Sequence, residues 1–151
     1  MTTSAPHQSG LPDPDRDHAF YDDVPTKRLI AWLIDVVLIS AITAVLVLIS
    51  LFTALFILPL VYAAASFAYR WFSLTRHSAT PGMRFVSLEM RRENGEAFDG
   101  ATALLHTAGY FASVAVFPLQ LVSIVLMLMS ERKQGLTDMV LGTAALNRAA
   151  A

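Results

Sequence analysis

The sequence contains no cysteine, and long stretches of it carry no charged residue. Without cysteine, the chain has no disulfide framework, no thiolate nucleophile and no cysteine-ligated metal site. Hydrophobic residues make up 55% of the 151 residues and charged residues only 15%, which is more apolar than an average globular domain. The composition therefore favours a membrane protein.

The chain also lacks the basic face expected of a nucleic-acid-binding protein. Its formal net charge is -1, residues 13–23 hold a cluster of aspartates, and most basic residues lie beside apolar stretches. Thr80-Pro81-Gly82 has the chemistry of a turn, but the remaining residues of a phosphate-binding loop are missing. The sequence shows no nucleophile–base pair, metal cluster or cofactor loop. We therefore expect no enzyme activity, no cofactor and no nucleic-acid partner.

Residues 1–24 are rich in Ser, Thr, Pro and Asp and nearly free of aliphatic side chains. Such a segment buries too little apolar surface to offset the entropy lost on ordering, so we predict a disordered cytosolic tail. It lacks the basic start and short apolar core of a secretory signal, so targeting is expected to depend on the first membrane helix. A membrane domain over residues 25–147 and a short C-terminal tail over residues 148–151 complete the predicted organisation.

Residues 29–69 form an apolar run whose only charge is Asp35. Because about 20 apolar residues span the roughly 30 Å of bilayer hydrocarbon, this run predicts two crossings, near residues 29–49 and 54–72. Lys27 and Arg28 precede the first crossing and, by the positive-inside rule, place the N-terminus in the cytosol. A carboxylate inside a membrane helix is costly, so Asp35 should face protein or water.

The connector after the second crossing, residues 77–100, is polar and is predicted to lie in the cytosol. Residues 85–91 alternate roughly between apolar and polar side chains, and Asn94-Gly95 comes shortly after them. Asn-Gly is the strongest two-residue hairpin signal. We therefore predict a small β-hairpin on the membrane face.

Residues 101–130 form a second uncharged stretch, longer than one crossing requires and shorter than two. Arg91 and Arg92 precede it and Arg132 and Lys133 come after it, so positive charge favours a cytosolic position for both ends. This favours an interfacial segment followed by a short or re-entrant hairpin that bends near Pro118, with a single kinked crossing as the alternative. The predicted fold is an all-α integral membrane bundle of three to four membrane segments with a short cytosolic β-hairpin.

Three charged residues resemble a known signature. Arg28 begins the first helix, Asp35 lies within it, and Asp138 ends a Gln-Gly-Leu-Thr-Asp segment that precedes Gly142-Thr143. This pattern resembles the RDD family of bacterial membrane proteins, which is named for one arginine and two aspartates. The resemblance covers residues 24–146.

A loop in the connector is also similar to that family. Thr80, Gly82 and Arg84 look like the Thr-x-Gly-Lys-Arg loop that comes after the second helix in RDD proteins. Met83 stands where the family usually has lysine, and His106 stands near a usual arginine of the third hydrophobic segment. The resemblance implies a multi-pass inner-membrane protein of unsettled function, for which transport of an unidentified ligand is the usual suggestion. It implies no known enzyme activity.

Two hypotheses concern the charged residues. In the first, Asp35 binds a cation or proton in the bundle interior beside water or a hydroxyl such as Thr43, while Arg28 and Asp138 form a gate or lock on the cytosolic side. His106 is then either a proton relay or an interfacial polar group. In the second, the three charges only hold the fold, and the protein is an accessory or assembly factor for another membrane protein. Transport would require a homo-oligomer or a partner protein, because so few helices hardly enclose a path.

Overall fold

Two long apolar helices lie in the first half of the chain in the computed structural model, which describes residues 9–148. Helix α1 runs over Val24–Ile49 and α2 over Leu58–His77, with Pro25 and Pro59 in their first turns, where proline is tolerated. A short 3-10 helix, Thr53–Ile57, precedes α2. Another 3-10 helix, His18–Phe20, precedes α1. Counted with these 3-10 segments, α1 and α2 are long and apolar enough to cross a membrane.

Helices α4 (Gly100–Ala115) and α5 (Phe117–Met129) form the bent pair that replaces a third continuous helix. Their axes differ by 116°, and Pro118 lies in the first turn of α5. Asp99 before α4 pairs with Arg92 at 3.1 Å, and Gln134 after α5 donates to the carbonyl of Thr143 at 2.6 Å. Both outer ends of the pair therefore lie on the same side of the molecule, as in a hairpin that returns.

The two strands come from distant parts of the chain. Strand β1 (Leu88–Arg92) pairs antiparallel with β2 (Thr143–Asn147), so that Leu88 faces Asn147 and Arg92 faces Thr143. The predicted local β-hairpin is therefore wrong, although a small sheet exists.

The chain beyond the Asn94-Gly95 turn explains why no local hairpin forms. Gly95 adopts a positive φ and donates to the carbonyl of Arg92, as a turn requires. The side chain of Asp99 then accepts a hydrogen bond from the backbone N–H of Thr102 and caps α4, so the chain enters a helix instead of returning as a strand.

The segment before α1 is packed, which corrects the predicted disorder for residues 9–24. Leu11 and Tyr21 are buried against Ala144 and Leu146 of β2. Asn147 donates from its side chain to the carbonyls of Ala19 and Asp22. A few apolar side chains are enough to order this segment, because β2 supplies the surface on which they pack. Residues 1–8 of the predicted tail and 149–151 of the C-terminal tail lie outside the described residues.

The core lies at the end of the molecule that carries the sheet. Two short helices complete that end, α3 over Pro81–Phe85 and α6 over Leu136–Leu141. The core residues are Val24, Ala31, Leu74, Ala79, Met83, Leu88, Met90, Phe98, Ala103 and Ala145. Around the turn between α1 and α2, apolar side chains are exposed instead, with Leu51 at 84% and Phe56 at 91%. Apolar exposure on this scale fits a surface that faces lipid.

Cysteine accessibility tests the course of α4 and α5. Because the wild-type chain has no cysteine, single substitutions at exposed positions give a clean signal. We expect Asn94→Cys and Glu131→Cys, which flank the bent pair, to be shielded from a membrane-impermeant thiol reagent in intact cells. Thr53→Cys, between α1 and α2, should be labelled. Labelling of Glu131→Cys while Asn94→Cys stays protected would establish a single crossing instead.

Candidate functional site

One stripe of α1 faces the rest of the protein and carries both signature residues of that helix. The buried residues of α1 include Ala31, Asp35, Ile39, Thr43 and Val47, at the spacing of one helix face. Arg28 lies about two turns before Asp35 on α1 and shares this face. The helix therefore directs one cation and one anion into the protein at different depths.

Asp35 is enclosed by three hydrogen-bond donors and is only 1% exposed. Its Oδ1 accepts from the hydroxyl of Tyr69 at 2.7 Å and from the backbone N–H of Gly82 at 2.9 Å. Its Oδ2 accepts from the hydroxyl of Thr80 at 2.5 Å, and that hydroxyl in turn accepts from the N–H of Met83. The carboxylate thus ties α2 and the start of α3 to α1.

Gly82 permits this approach because it has no side chain. A Cβ at this position would lie 2.2 Å from the carbonyl oxygen of Ala31 and 2.7 Å from Oδ1 of Asp35. Both distances are shorter than contact allows. Only glycine therefore lets the Thr80–Gly82 turn reach the carboxylate.

Asp138 forms a second buried centre and is fully shielded from solvent. Its Oδ2 accepts from Nη1 of Arg28 at 2.5 Å and from the N–H of Gly135 at 3.0 Å. Its Oδ1 lies 2.9 Å from Nε2 of His106 and accepts from the hydroxyl of Thr143 at 3.0 Å. Because an ionised carboxylate only accepts, His106 donates in this arrangement.

The charge state of Asp138 depends on these partners. Burial by itself raises the pKa of the carboxyl group, since desolvation disfavours the charged form. The positive charge of Arg28 and the hydrogen bond from His106 outweigh that effect. The net result is a pKa well below the ordinary value, so Asp138 is ionised at neutral pH.

The structure places some predicted site residues at Asp35, one at Asp138 and others at neither centre. Thr80 and Gly82 contact Asp35, and His106 contacts Asp138 instead of standing alone at an interface. Thr43 was expected beside Asp35 but donates to the carbonyl of Ile39 in its own helix. That expectation is wrong, because a hydroxyl in a helix readily bonds to the carbonyl one turn back. Arg84 is exposed and lies outside both centres.

A cavity of about 530 Å³ lies between α1, α2, α4, α5 and α6. Asp35 and Asp138 both border it. Further polar groups on its wall are Arg28, Arg70, Thr80, His106, Thr107, Tyr110, Ser113, Gln120, Ser123 and Thr137. The apolar part of the wall includes Leu29, Trp32, Leu74, Met83, Ile124, Met127 and Leu128. The volume and the mixed lining are typical of a small-molecule site.

Arg70 is the residue of this cavity that sequence reasoning missed. A basic residue near the end of a predicted crossing is typical of a topological charge in the cytosol, but Arg70 is only 8% exposed. Its guanidinium carbon lies 4.3 Å from the ring centre of Tyr110, in the geometry of a cation–π contact. Ser66, Arg70 and Leu74 are the buried residues of α2. That helical spacing was the available signal.

Comparison with known proteins fixes the family. The model of the RDD family matches residues 24–142. The chain belongs to the RDD family. No curated protein and no solved structure matches it. Family membership and the apolar helices together fit a membrane protein. In this RDD protein the signature residues Arg28, Asp35 and Asp138 all border one cavity.

The ion pair between Arg28 and Asp138 predicts strong coupling between two substitutions. Removing one member of a buried pair typically costs about 3 to 5 kcal/mol, because the other charge is left unpaired. We expect Arg28→Met and Asp138→Leu each to lower the melting temperature in detergent. The double variant should recover part of that loss, which a double-mutant cycle measures.

Arg84→Met serves as the matched control, because Arg84 is exposed and lies outside the network. Combined with Asp138→Leu, it should give additive losses. Strict additivity of Arg28→Met and Asp138→Leu as well would contradict a stabilising ion pair.

Asp138 also predicts how the fold responds to acid. Its pKa is lowered in the folded protein, whereas an aspartate in an unfolded chain titrates at about 3.9. The stability that ionised Asp138 gives the fold is therefore fully present above a pH of about 4. It is lost as the pH falls further, towards the lower pKa that Asp138 has in the folded protein. We expect the melting temperature to fall less steeply with acid in Asp138→Asn than in wild type. Parallel curves for the two proteins would contradict this assignment.

Proposed function

We propose that this RDD protein binds a small polar ligand in its cavity and moves it across the membrane as part of a larger assembly. The observation that carries this proposal is the cavity itself, which brings buried charged and amide side chains together inside an otherwise apolar set of helices. Charged groups at membrane depth are costly, and where they face an internal cavity they commonly mark a substrate or ion pathway. An apolar interior would hold the same helices together without that cost.

The contacts of Asp35 favour a role for this residue in holding the fold. Its two oxygens already accept three hydrogen bonds, from Tyr69, Thr80 and Gly82. A cation bound at Asp35 would have to displace at least one of these donors. We therefore assign the ligand to the cavity and treat Asp35 as the residue that positions the Thr80–Gly82 turn on its wall.

Transport also requires more helices than one chain offers. Within residues 9–148, two helices, or three if the bent pair is one span, are long and apolar enough to cross a membrane. Ala64 and Ala68 lie on the exposed side of α2 and form a small-residue face on which another helix can pack closely. A second copy of the chain or a partner membrane protein on this face would complete the wall of a path.

The same surface supports a second candidate, an accessory or assembly role without transport. Asp35 and Asp138 have their hydrogen-bonding capacity well filled, as expected of groups that only hold a fold. On this view the Ala64 and Ala68 face binds a partner membrane protein, and the cavity has no ligand.

Flux measurements in proteoliposomes separate the two roles. The probes are alkali cations, protons, inorganic phosphate and short carboxylates, each offered singly. Ile124→Trp should narrow the cavity, whereas Val125→Trp is the matched control, because Val125 is similarly exposed but does not border the cavity. We expect flux of at least one probe, reduced about tenfold or more by Ile124→Trp and unchanged by Val125→Trp. No flux of any probe, together with a stable co-purifying membrane protein, would favour the accessory role.

Asp35→Asn adds an independent test in the same vesicles. The substitution keeps the shape of the side chain and removes its charge, which weakens bonds to the donors around it. We expect a loss of stability of about 1 to 3 kcal/mol with unchanged ion dependence of flux in the folded fraction. A folded variant that has lost the ion dependence of flux would restore Asp35 as the ion-binding group.

A further inference from the structure

We infer that the cavity binds an oxyanion, a carboxylate or phosphate group, through Arg70. This inference rests on the proposed function, since it names the class of ligand for the same cavity. It is carried by the contacts of one buried arginine and of the polar groups around it.

Arg70 is a buried permanent cation without an ionic partner in the part of the chain that the structure describes. It is 8% exposed, and its Nε makes no hydrogen bond within residues 9–148. Arginine does not lose its proton in proteins, so burial cannot neutralise it. The other arginine on the cavity wall, Arg28, is paired with Asp138. A buried charge without a partner is strongly unfavourable, and an anionic ligand would remove that penalty.

The two carboxylates of the cavity do not supply the missing charge at contact distance. Asp35 accepts hydrogen bonds from Tyr69, Thr80 and Gly82, and no ion pair joins it to Arg70 among the described residues. Asp138 is surrounded by Arg28 and three further donors. Both are therefore committed to holding the fold. Arg70 remains available to a ligand.

Arg70 is also held in place before any ligand binds. Its guanidinium carbon lies 4.3 Å from the ring centre of Tyr110, and the hydroxyl of Tyr110 accepts a hydrogen bond from the indole N–H of Trp32 at 2.9 Å. This contact restrains the position of the guanidinium. A planar fork of donors matches the two oxygens of a carboxylate or phosphate better than the single ammonium of a lysine would.

Neighbouring groups on the cavity wall add further donors. The hydroxyl of Thr107 is buried and has no hydrogen-bond partner among the described residues. The side-chain amide of Gln120 lies 3.0 Å from the hydroxyl of Ser113, which also bonds to the carbonyl of Tyr110. At least one of the two amide N–H groups of Gln120 is left to donate to a ligand. These donors, with Arg70, suit an anion. No cluster of three metal-ligating side chains occurs within the described chain.

The size and lining of the cavity further limit the class of ligand that it can bind. About 530 Å³ is more than a bare phosphate or carboxylate group needs. Leu74, Met83, Ile124 and Leu128 line the remaining wall. The ligand is therefore an oxyanion attached to a small apolar body. Two sources carry that chemistry, the headgroup region of an anionic lipid and a free organic anion.

Binding to purified protein tests the inference. The probes are inorganic phosphate, octanoate and dihexanoyl phosphatidylglycerol, and dihexanoyl phosphatidylcholine is the zwitterionic control. Trp32 borders the cavity, so its fluorescence in a Trp71→Phe background reports affinity. We expect Arg70→Gln to weaken binding of the anionic probes at least tenfold and Arg70→Lys to restore part of it. Arg76→Gln is the matched control, because Arg76 lies on the exposed side of the same helix.

A stability measurement separates a ligand-binding arginine from a structural one. If Arg70 lacks an ionic partner in the free protein, Arg70→Gln should melt in detergent at the same temperature as wild type or higher. A clear drop in melting temperature with unchanged probe affinity would overturn the inference. Thr107→Val provides a second variant should Arg70→Gln fail to fold, and it should weaken anion binding without affecting Arg70.

The outcomes also distinguish this inference from the transport proposal. Binding of the anionic probes that depends on Arg70, without flux, would overturn transport and keep the oxyanion site. Flux that Ile124→Trp blocks and Arg70→Gln leaves unchanged would overturn the oxyanion site and keep transport. Binding of phosphatidylglycerol without octanoate or phosphate supports the lipid source, and the reverse result supports a free anion. Equal affinity of wild type and Arg70→Gln for every probe overturns the inference.

Discussion

The carboxylate of Asp138 joins elements that are otherwise far apart in the chain. Arg28 brings α1 to it, His106 brings α4, and Thr143 brings the start of β2. Gly135 donates from the backbone just before α6. A single ionised side chain can do this because two oxygens offer several acceptor positions, and burial makes each unsatisfied donor costly. The positions of the sheet and of the cavity wall depend on these four contacts.

The parts of the fold that the sequence predicts well are those set by local composition. Long apolar runs define α1 and α2, and Pro118 marks the break between α4 and α5. The partner of β1 was missed because pairing between strands is set by tertiary contacts. Strand β2 also consists largely of alanine, with few of the branched residues typical of strands. The order of residues 9–24 was missed for the same reason, since β2 supplies the surface on which they pack.

In the site as well, residues marked by their local sequence were predicted, whereas partners from distant parts of the chain were not. Arg28 and Asp35 were recognisable because a charge at or inside an apolar helix stands out in the sequence. The partners of Asp35 were not, because Tyr69 and Thr80 come from α2 and the turn after it, whereas Thr43 was merely close in sequence. Arg70 was not recognisable, because a basic residue near the end of a membrane helix is typical of a topological charge. Packing of α2 against α4 buries it beside Tyr110 instead.

The pairing of β1 with β2 has a consequence for biosynthesis. Strand β1 and the N-terminal segment leave the ribosome well before residues 143–147, which form their partner. Arg28 is likewise synthesised ahead of Asp138, which lies 110 residues later. Until residues 138–147 have been synthesised, the chain therefore holds an open strand edge and a cation without its ionic partner. An open strand edge can pair with other chains, and a buried cation without its partner destabilises the fold, so synthesis of this segment removes both hazards together.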